Sequence, residues 1–479
     1  MMHLLLIACI TVTATATGNN TSSRRLIGSN SKCSIGARIR KSWDYITEKE
    51  KELYLFAVET AITAGLHQAM VKVHQEHRSE LEAHDTCGFV LWHRRYVLVY
   101  ENMLRSLRPE FACITVPYWD IMKDLSKRAS GMCSNFLECS NIVTDLGGSQ
   151  GASDTRTYSS QTSTGNCFSG RPYSNYRDDN GRSSCIPRSD LRSKQPPSGA
   201  SYSVLFNMIT QENTYQGFSQ RLQDGIHNEV HGTVAGIFAT WAAPADVLFY
   251  SWHSTVDMLH SLWHECKVNP LVTNTAKSSS LGFNVGNCLR TDDARSELSN
   301  LQVNDRITMI VDGVGVTQHP ILAPIFADVG TTYLDYVDHR DLGDYTYEYA
   351  FPGAFREILK ENSLCPAYTG NLPHDPDEPL AYWEWYAKTK TALERVEKNP
   401  ANVFQQLEYL ECLGIDEQFG VPDTIGDASI AGSLVARPHC ATVLKNIRDG
   451  SVQVDDLSCG NEIGGMLSLM VMVMAVIML

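Results

Sequence analysis

His84-Asp85-Thr86-Cys87-Gly88-Phe89-Val90-Leu91-Trp92-His93-Arg94-Arg95 is the stretch on which the fold turns. Its two histidines are nine residues apart, and on one unbroken helix that spacing rotates them by about 180° to opposite faces. They can meet a common partner only if a helix starts between them. Asp85 or Thr86 supplies a cap for such a start, leaving His84 in the preceding loop and His93 inside a helix over 90–107. Downstream, His227-Asn228-Glu229-Val230-His231 sets two imidazoles four apart on one helical face, and His253 opens a further helix twenty-two residues on. Three neutral imidazoles suit copper, zinc or iron, and a triplet without carboxylate or thiolate turns the choice away from non-haem iron. The upstream pair needs its third imidazole from the preceding helix, where His67, His74 and His77 compete. His67 and His74 stand two turns apart, about 10 Å, and cannot serve one ion.

Outward from these motifs, apolar residues at helical spacing predict one long amphipathic helix over 47–74 and others over 90–107, 210–237, 245–264, 382–396 and 400–413. Residues 282–349 read as strand and loop. The stretch 130–200 is rich in Ser, Gly, Arg and Asn and carries four cysteines, so it reads as an excursion ordered by disulfides and not by burial. The fold expected is mainly α.

With 479 residues, 43% hydrophobic and 20% charged, the chain can bury a large core, which excludes disorder as its default state. A formal charge of −14 and no basic run longer than a pair exclude nucleic acid as a partner. Residues 1–17 read as a secretory signal, with Ala14-Thr15-Ala16 at the cut and two overlapping sequons in Asn19-Asn20-Thr21-Ser22 just beyond it. Residues 458–479 end in the apolar run Met466–Leu479, which is short for a membrane span. With the small residues before it, this reads as a GPI-anchor signal, or as a retained tail that attaches the chain to a membrane. Without Cys9 and Cys459 twelve cysteines remain, enough for six disulfides in an oxidising compartment.

The segment from His84 to Arg95, with Val116-Pro117-Tyr118-Trp119-Asp120, resembles the first-copper signature of tyrosinases, catechol oxidases and molluscan-type haemocyanins, the type 3 dicopper proteins. His227-Asn228-Glu229-Val230-His231 and the run from Asp246 to Asp257 resemble the second. The likeness covers about residues 45–350, where Tyr345-Thr346-Tyr347 is similar to the family's closing Tyr-x-Tyr element. It implies a four-helix bundle holding two copper ions, each on three histidines, with dioxygen as co-substrate. It assigns His84 and His93 with His74 to the first copper, because Met70-Val71-Lys72-Val73-His74 is similar to the sequence before the family's first ligand. The second copper takes His227, His231 and His253. His67 and His77 are then surface or supporting residues.

The departures shape the functional expectation. Glu82 stands where many members have a thioether cysteine. Ser219 stands near the position of a carboxylate that holds a water in monophenol-hydroxylating members, although Asn228, which orients that water, is present; Asp224 would have to substitute. Asp257, one turn after His253, reads either as an acceptor behind an imidazole or as a helix ion pair. The resemblance implies a secreted enzyme that oxidises small phenols, o-diphenols above all. An oxygen carrier of haemocyanin type, which repeats the unit many times, and a non-catalytic secreted cell-surface protein are the alternatives; a zinc hydrolase fails because 227–231 lacks the HExxH order. The expected organisation is a signal over 1–17, a dicopper core over 18–350 with the 130–200 insertion, a partly helical C-terminal extension over 351–457, and the tail.

Overall fold

The computed structural model describes residues 33, 38–183, 185–268, 271, 273–279, 301–359, 363–368, 380–425 and 437–454. The expected signal, sequons and apolar tail lie outside them. Among the described residues no helix is long and apolar enough to cross a membrane.

The molecule is mainly helical. The stretch expected as one helix over 47–74 is two, α1 (Glu48–Thr63) and α2 (Leu66–Gln75), divided at Gly65, whose φ of 74° only glycine adopts without strain. Thr47 and Glu50 form a reciprocal cap at the start of α1. A short α3 (His77–Ala83) follows, then α4 (Phe89–Leu107), buried along nearly its whole length. The break between His84 and His93 is present, but its cap is not a side chain of Asp85. Asp85 takes a left-handed φ of 58°, Thr86 Oγ1 accepts from the Gly88 amide at 3.0 Å, and α4 begins at Phe89.

The region expected as one helix over 210–237 is also broken. Tyr202–Gln211 and Tyr215–Leu222 are separate helices, and Asn228–Val234 is reached through a widened turn at Gln223–His227 in which Gly225 leaves helical geometry. The helix Leu248–Lys267 runs alongside α4. These two helices, with α2 and Asn228–Val234, form the bundle that holds the histidines. Aromatic rings fill it: Tyr100 stacks on Tyr250 at 3.4 Å, and His67 meets both edge-on.

The 130–200 excursion is more than a disulfide-tied loop. It forms a three-stranded antiparallel sheet (Ser153–Tyr158, Gln161–Phe168, Ile186–Arg188) and buries Phe136, Tyr158, Tyr173, Tyr176 and Ile186 in the core. Average polarity concealed these few aromatic anchors, each of which can bury about 150–250 Å². Arg188 reaches Asp246 with two nitrogens at 2.7 and 2.8 Å, both side chains fully buried, and so fixes the approach to the helix Leu248–Lys267. All eleven described cysteines are in disulfides, including Cys33–Cys113, Cys133–Cys139, Cys167–Cys185, Cys266–Cys365 and Cys412–Cys440.

Two further ties close the core. Strand β1 (Arg38–Arg40) pairs in parallel with Tyr347–Tyr349. The buried Tyr-x-Tyr element is therefore Tyr347 and Tyr349, not Tyr345 and Tyr347: strand alternation turns both inward, while Tyr345 is only partly buried. Beyond residue 380, helices Ala381–Val396 and Pro400–Phe419 pack on the core, with buried bonds from Ser201 to Glu411 (2.7 Å) and from Asn207 to the Phe404 carbonyl (2.9 Å).

Candidate metal centre

Helix breaks, not helix runs, assemble the site. Because α3 ends at His84 and α4 starts five residues later, His84 and His93 face inward together, and α2 brings His74 to them. One ring nitrogen from each of these three lies within 4.8 Å of the others, and His227, His231 and His253 form a second such triad. The two triads adjoin, with the His93 and His253 rings stacked at 4.1 Å. All six histidines are buried.

Five of the six imidazoles are held from behind at Nδ1. His74 donates to the Trp241 carbonyl (2.8 Å), His84 to Glu80 (3.2 Å), His93 to Phe89 (2.9 Å) and His231 to Phe238 (2.5 Å), while His227 donates to Asn228 Oδ1 (2.9 Å). This fixes the tautomer and leaves Nε2 as a bare lone pair. His253 has no such tether and is placed by packing between the rings of Phe249 and His93, each at 4.1 Å. Burial, with lesser repulsion from His231, pushes the His74 pKa down to about 3, and burial pushes His231 to about 4. The other four are lowered for the same reason, with neighbouring histidines adding to it. The site thus offers neutral imidazoles at neutral pH.

Bare nitrogens at this density ask for a cation. His74 Nε2 and His93 Nε2 stand 3.4 Å apart, two lone pairs facing each other. Buried Nε2 of His227 and of His231, and both ring nitrogens of His253, have no hydrogen-bond partner. Each buried unsatisfied group costs about 1–3 kcal/mol, a cost that metal coordination removes. Beside the triads is a cavity of about 200 Å³ lined by His74, His84, His227 and His231 with Asp85, Gln223, Asn228, Phe238, Thr240 and Trp241.

The remaining sequence candidates fall elsewhere. Asp224 is exposed and does not line the cavity, because the widened turn at Gln223–His227 carries it outward. Ser219 is buried and also absent from the lining. Asp257 does not support His253: it takes Arg94 Nε at 2.6 Å and the hydroxyls of Tyr347 and Tyr349, so the ion-pair reading holds. Glu82 uses the missing cysteine's position to accept from the Thr308 amide and the Tyr333 hydroxyl, both at 2.7 Å. His67 is fully buried against Tyr100, 3.0 Å from its hydroxyl, whereas His77 is exposed. His260 lies 2.8 Å from Arg94 Nη2. Asp85, Gln223 and Trp241 are cavity residues that sequence reasoning missed; only their nearness to His84, His227 and the second triad's helix could have flagged them.

Two adjoining histidine triads inside a helical bundle could hold two metal ions on imidazole nitrogens alone. Comparison with known proteins places them. Residues 61–266 match the family model described as the common central domain of tyrosinase. A tyrosinase of Streptomyces glaucescens is 28% identical over 227 residues, 44% of this chain and 77% of that protein, and one of Streptomyces antibioticus is 26% identical over 229 residues with the same coverage. A solved polyphenol oxidase of Thermothelomyces thermophila, a point mutant, aligns with a TM-score of 0.40 at 15% identity, covering 66% of this chain and 90% of that one. Residues 61–266 are thus similar to the central domain of tyrosinases, and the likeness supports a copper oxidoreductase that acts on phenols.

Proposed function

We propose that this chain oxidises o-diphenols to o-quinones with dioxygen, on two copper ions held by His74, His84 and His93 and by His227, His231 and His253. The observation that carries the reading is the pair of buried triads, with bare imidazole nitrogens turned toward one another. Bound copper would supply electron exchange between a phenol ring and dioxygen. Two diphenols release four electrons and four protons, and one dioxygen takes them up as two waters.

The protein's own contribution is placement. Burial keeps the imidazoles neutral, and the Nδ1 bonds hold each ring where rotation would otherwise cost alignment. Phe238 and Trp241 wall the cavity and give the phenol ring an apolar seat. A monophenol must lose its hydroxyl proton before oxygen is inserted and so needs a nearby base. Asn228 Oδ1 already serves His227, neither Asp224 nor Ser219 reaches the cavity, and the lining carboxylate Asp85 is engaged by Gln223, so monophenol hydroxylation is slow.

We further infer a secreted protein, which the oxidised cysteines support, and removal of the C-terminal tail, which the sequence pattern supports; mass spectrometry that recovered a peptide ending at Leu479 would refute the latter. The central test is metal analysis with an absorption spectrum under oxygen. Two coppers per chain are expected, falling in His93→Ala and His253→Ala along with catechol oxidation, while far-ultraviolet circular dichroism is retained. One zinc and no copper would overturn the reading.

A further inference from the structure

We propose that Tyr100, bonded to His67 and stacked on Tyr250 behind the metal centre, is a redox site that gives up an electron and a proton when oxygen is reduced at the triads with no phenol bound, and so spares the imidazoles from oxidation. This rests on the phenol-oxidase reading and adds a protective function to it.

A column of electron-rich rings leads away from the first triad. Between ring centres, Trp92 lies 5.0 Å from His93 and 5.8 Å from His74, and Tyr96 stacks on Trp92 at 5.3 Å. Tyr250 stacks on Tyr96 at 5.8 Å and on Tyr100 at 3.4 Å, with both pairs of planes within 13° of parallel. Trp92, Tyr96 and Tyr100 stand four apart on α4, so one stripe of that helix carries them away from the triad. All four rings are fully buried. Indole and phenol are readily oxidised, and the more reactive thiols are already spent, since every described cysteine is in a disulfide.

What singles out Tyr100 is its proton. A phenol gives up an electron easily only when its proton leaves too, and the proton needs a base. Trp92 and Tyr96 donate to the Thr308 and Met70 carbonyls at 2.8 and 2.6 Å, and the Tyr250 hydroxyl meets that of Tyr96 at 3.4 Å; none of these partners is a base. The Tyr100 hydroxyl instead lies 3.0 Å from His67 Nδ1. His67 Nε2 is 3.4 Å from the Ala245 carbonyl, which can only accept, so Nε2 carries the hydrogen and Nδ1 is the bare acceptor for Tyr100. Burial keeps this ring neutral, with its pKa pushed down to about 4, while the Ala245 carbonyl and the charge of Asp246 favour its protonated form. A proton received there is held weakly and returns.

Reducing one dioxygen to two waters takes four electrons, and without a phenol the shortfall falls on the protein. The Tyr100 O–H bond then breaks, an N–H bond forms at His67 Nδ1, and one electron passes through Tyr250 and Tyr96 to the oxidised centre. Tyr100 is left as a neutral radical beside an imidazolium. A reductant of the catechol or ascorbate class in solution restores the electron, by way of Tyr158, which adjoins the exposed turn at Ser160 and stacks on Tyr176 at 4.8 Å, and of Tyr176, which lies edge-on to His67 at 5.5 Å. The proton moves back from His67 to the Tyr100 oxygen.

The test uses the full-length, copper-loaded protein, mixed with hydrogen peroxide in the absence of phenol and frozen within seconds for electron paramagnetic resonance. Wild type should show a tyrosyl radical that is absent from the copper-free protein and narrows when the chain is made with ring-deuterated tyrosine. Tyr100→Phe keeps the stacked ring and should lose that signal, and His67→Gln, whose amide is no base, should lower it by about 10²-fold or more. After longer exposure, peptide mass spectrometry should find more oxygen added to the six triad histidines in both variants than in wild type. Initial rates of catechol oxidation should equal wild type, since neither residue lines the cavity. A radical of wild-type size and shape in either variant, or no radical in a wild type that oxidises catechol, would overturn the proposal while leaving the phenol-oxidase reading intact. A wild type that took up no copper or oxidised no catechol would overturn both.

Discussion

Replacing Asp257 by Asn is expected to destabilise the protein by about 3–5 kcal/mol, because it leaves buried positive charge uncompensated. Asp257 Oδ1 takes Arg94 Nε at 2.6 Å, and Oδ2 takes Arg40 Nη1 at 3.3 Å with the hydroxyls of Tyr347 and Tyr349 at 2.5 and 2.7 Å. Arg40 also binds Glu101 at 3.0 Å, so two guanidinium and two carboxylate groups balance inside the core. Asparagine removes one negative charge and turns a donor toward groups that are themselves donors. Burial works to raise the Asp257 pKa, but Arg94 and Arg40 outweigh it and hold the carboxyl below its ordinary range. For a carboxyl so depressed the stabilisation is present above the unfolded pKa of about 3.9 and is lost as pH falls through the folded value. Urea unfolding followed by tryptophan fluorescence at pH 7 should show the loss with little change in slope, and the midpoint of heat unfolding should drop by about 3–5 °C. Copper content of the folded variant should equal wild type, since Asp257 bonds to no imidazole of either triad. An Asp257→Asn protein within 1 kcal/mol of wild type would refute the charge-balance reasoning.

Burial pushes the His67 pKa down to about 4 from about 6.5, so its neutral form stabilises the fold above pH 6.5 and that contribution fades as pH falls toward 4. The loss is about 2 kcal/mol by pH 5, and His67→Gln should flatten the stability-versus-pH curve by that amount in denaturant titrations. At Gly88 an added Cβ would come 2.5 Å from Tyr333 Oη and 3.1 Å from the Glu82 carbonyl. Gly88→Ala should therefore cost about 1–3 kcal/mol and weaken metal binding at the first triad, with Tyr333→Phe restoring part of both in copper titration. Tyramine should be hydroxylated about 10²- to 10⁴-fold more slowly than dopamine is oxidised, as followed by oxygen uptake; comparable rates would show that a base is present.

The six clustered histidines were legible because ligand spacing is a local property: 227, 231 and 253 could be read from helical geometry, and 84 with 93 from the need for a break. His74 could not be chosen over His67 and His77 by spacing, and only the resemblance pointed to it. What fixes the rings was hidden. The carbonyls of Trp241 and Phe238 that hold His74 and His231 belong to backbone, on which sequence patterns are silent. The helix breaks at Gly65 and Gly225 were concealed by apolar spacing that continues across them. In the 130–200 stretch, composition outweighed a few aromatic anchors. At Asp257 the sequence left two readings open, an imidazole's acceptor or an ion pair, because its partners Arg40 and Tyr349 lie 217 and 92 residues away.

Glu229, between two candidate ligands, accepts from Ser198 Oγ and the Gly199 amide at 3.0 Å, and from the His439 amide at 3.4 Å. Time enters through that last bond. During synthesis all six histidines have been made once residue 253 is joined, yet residue 439 follows 186 residues later, about 10–40 s at ordinary elongation rates. In that interval the second triad exists without its distal brace, and Tyr347 and Tyr349 have still to be added. A nascent chain of that length therefore carries all six histidines but not the bond from the His439 amide to the Glu229 carboxylate that stands between two of them.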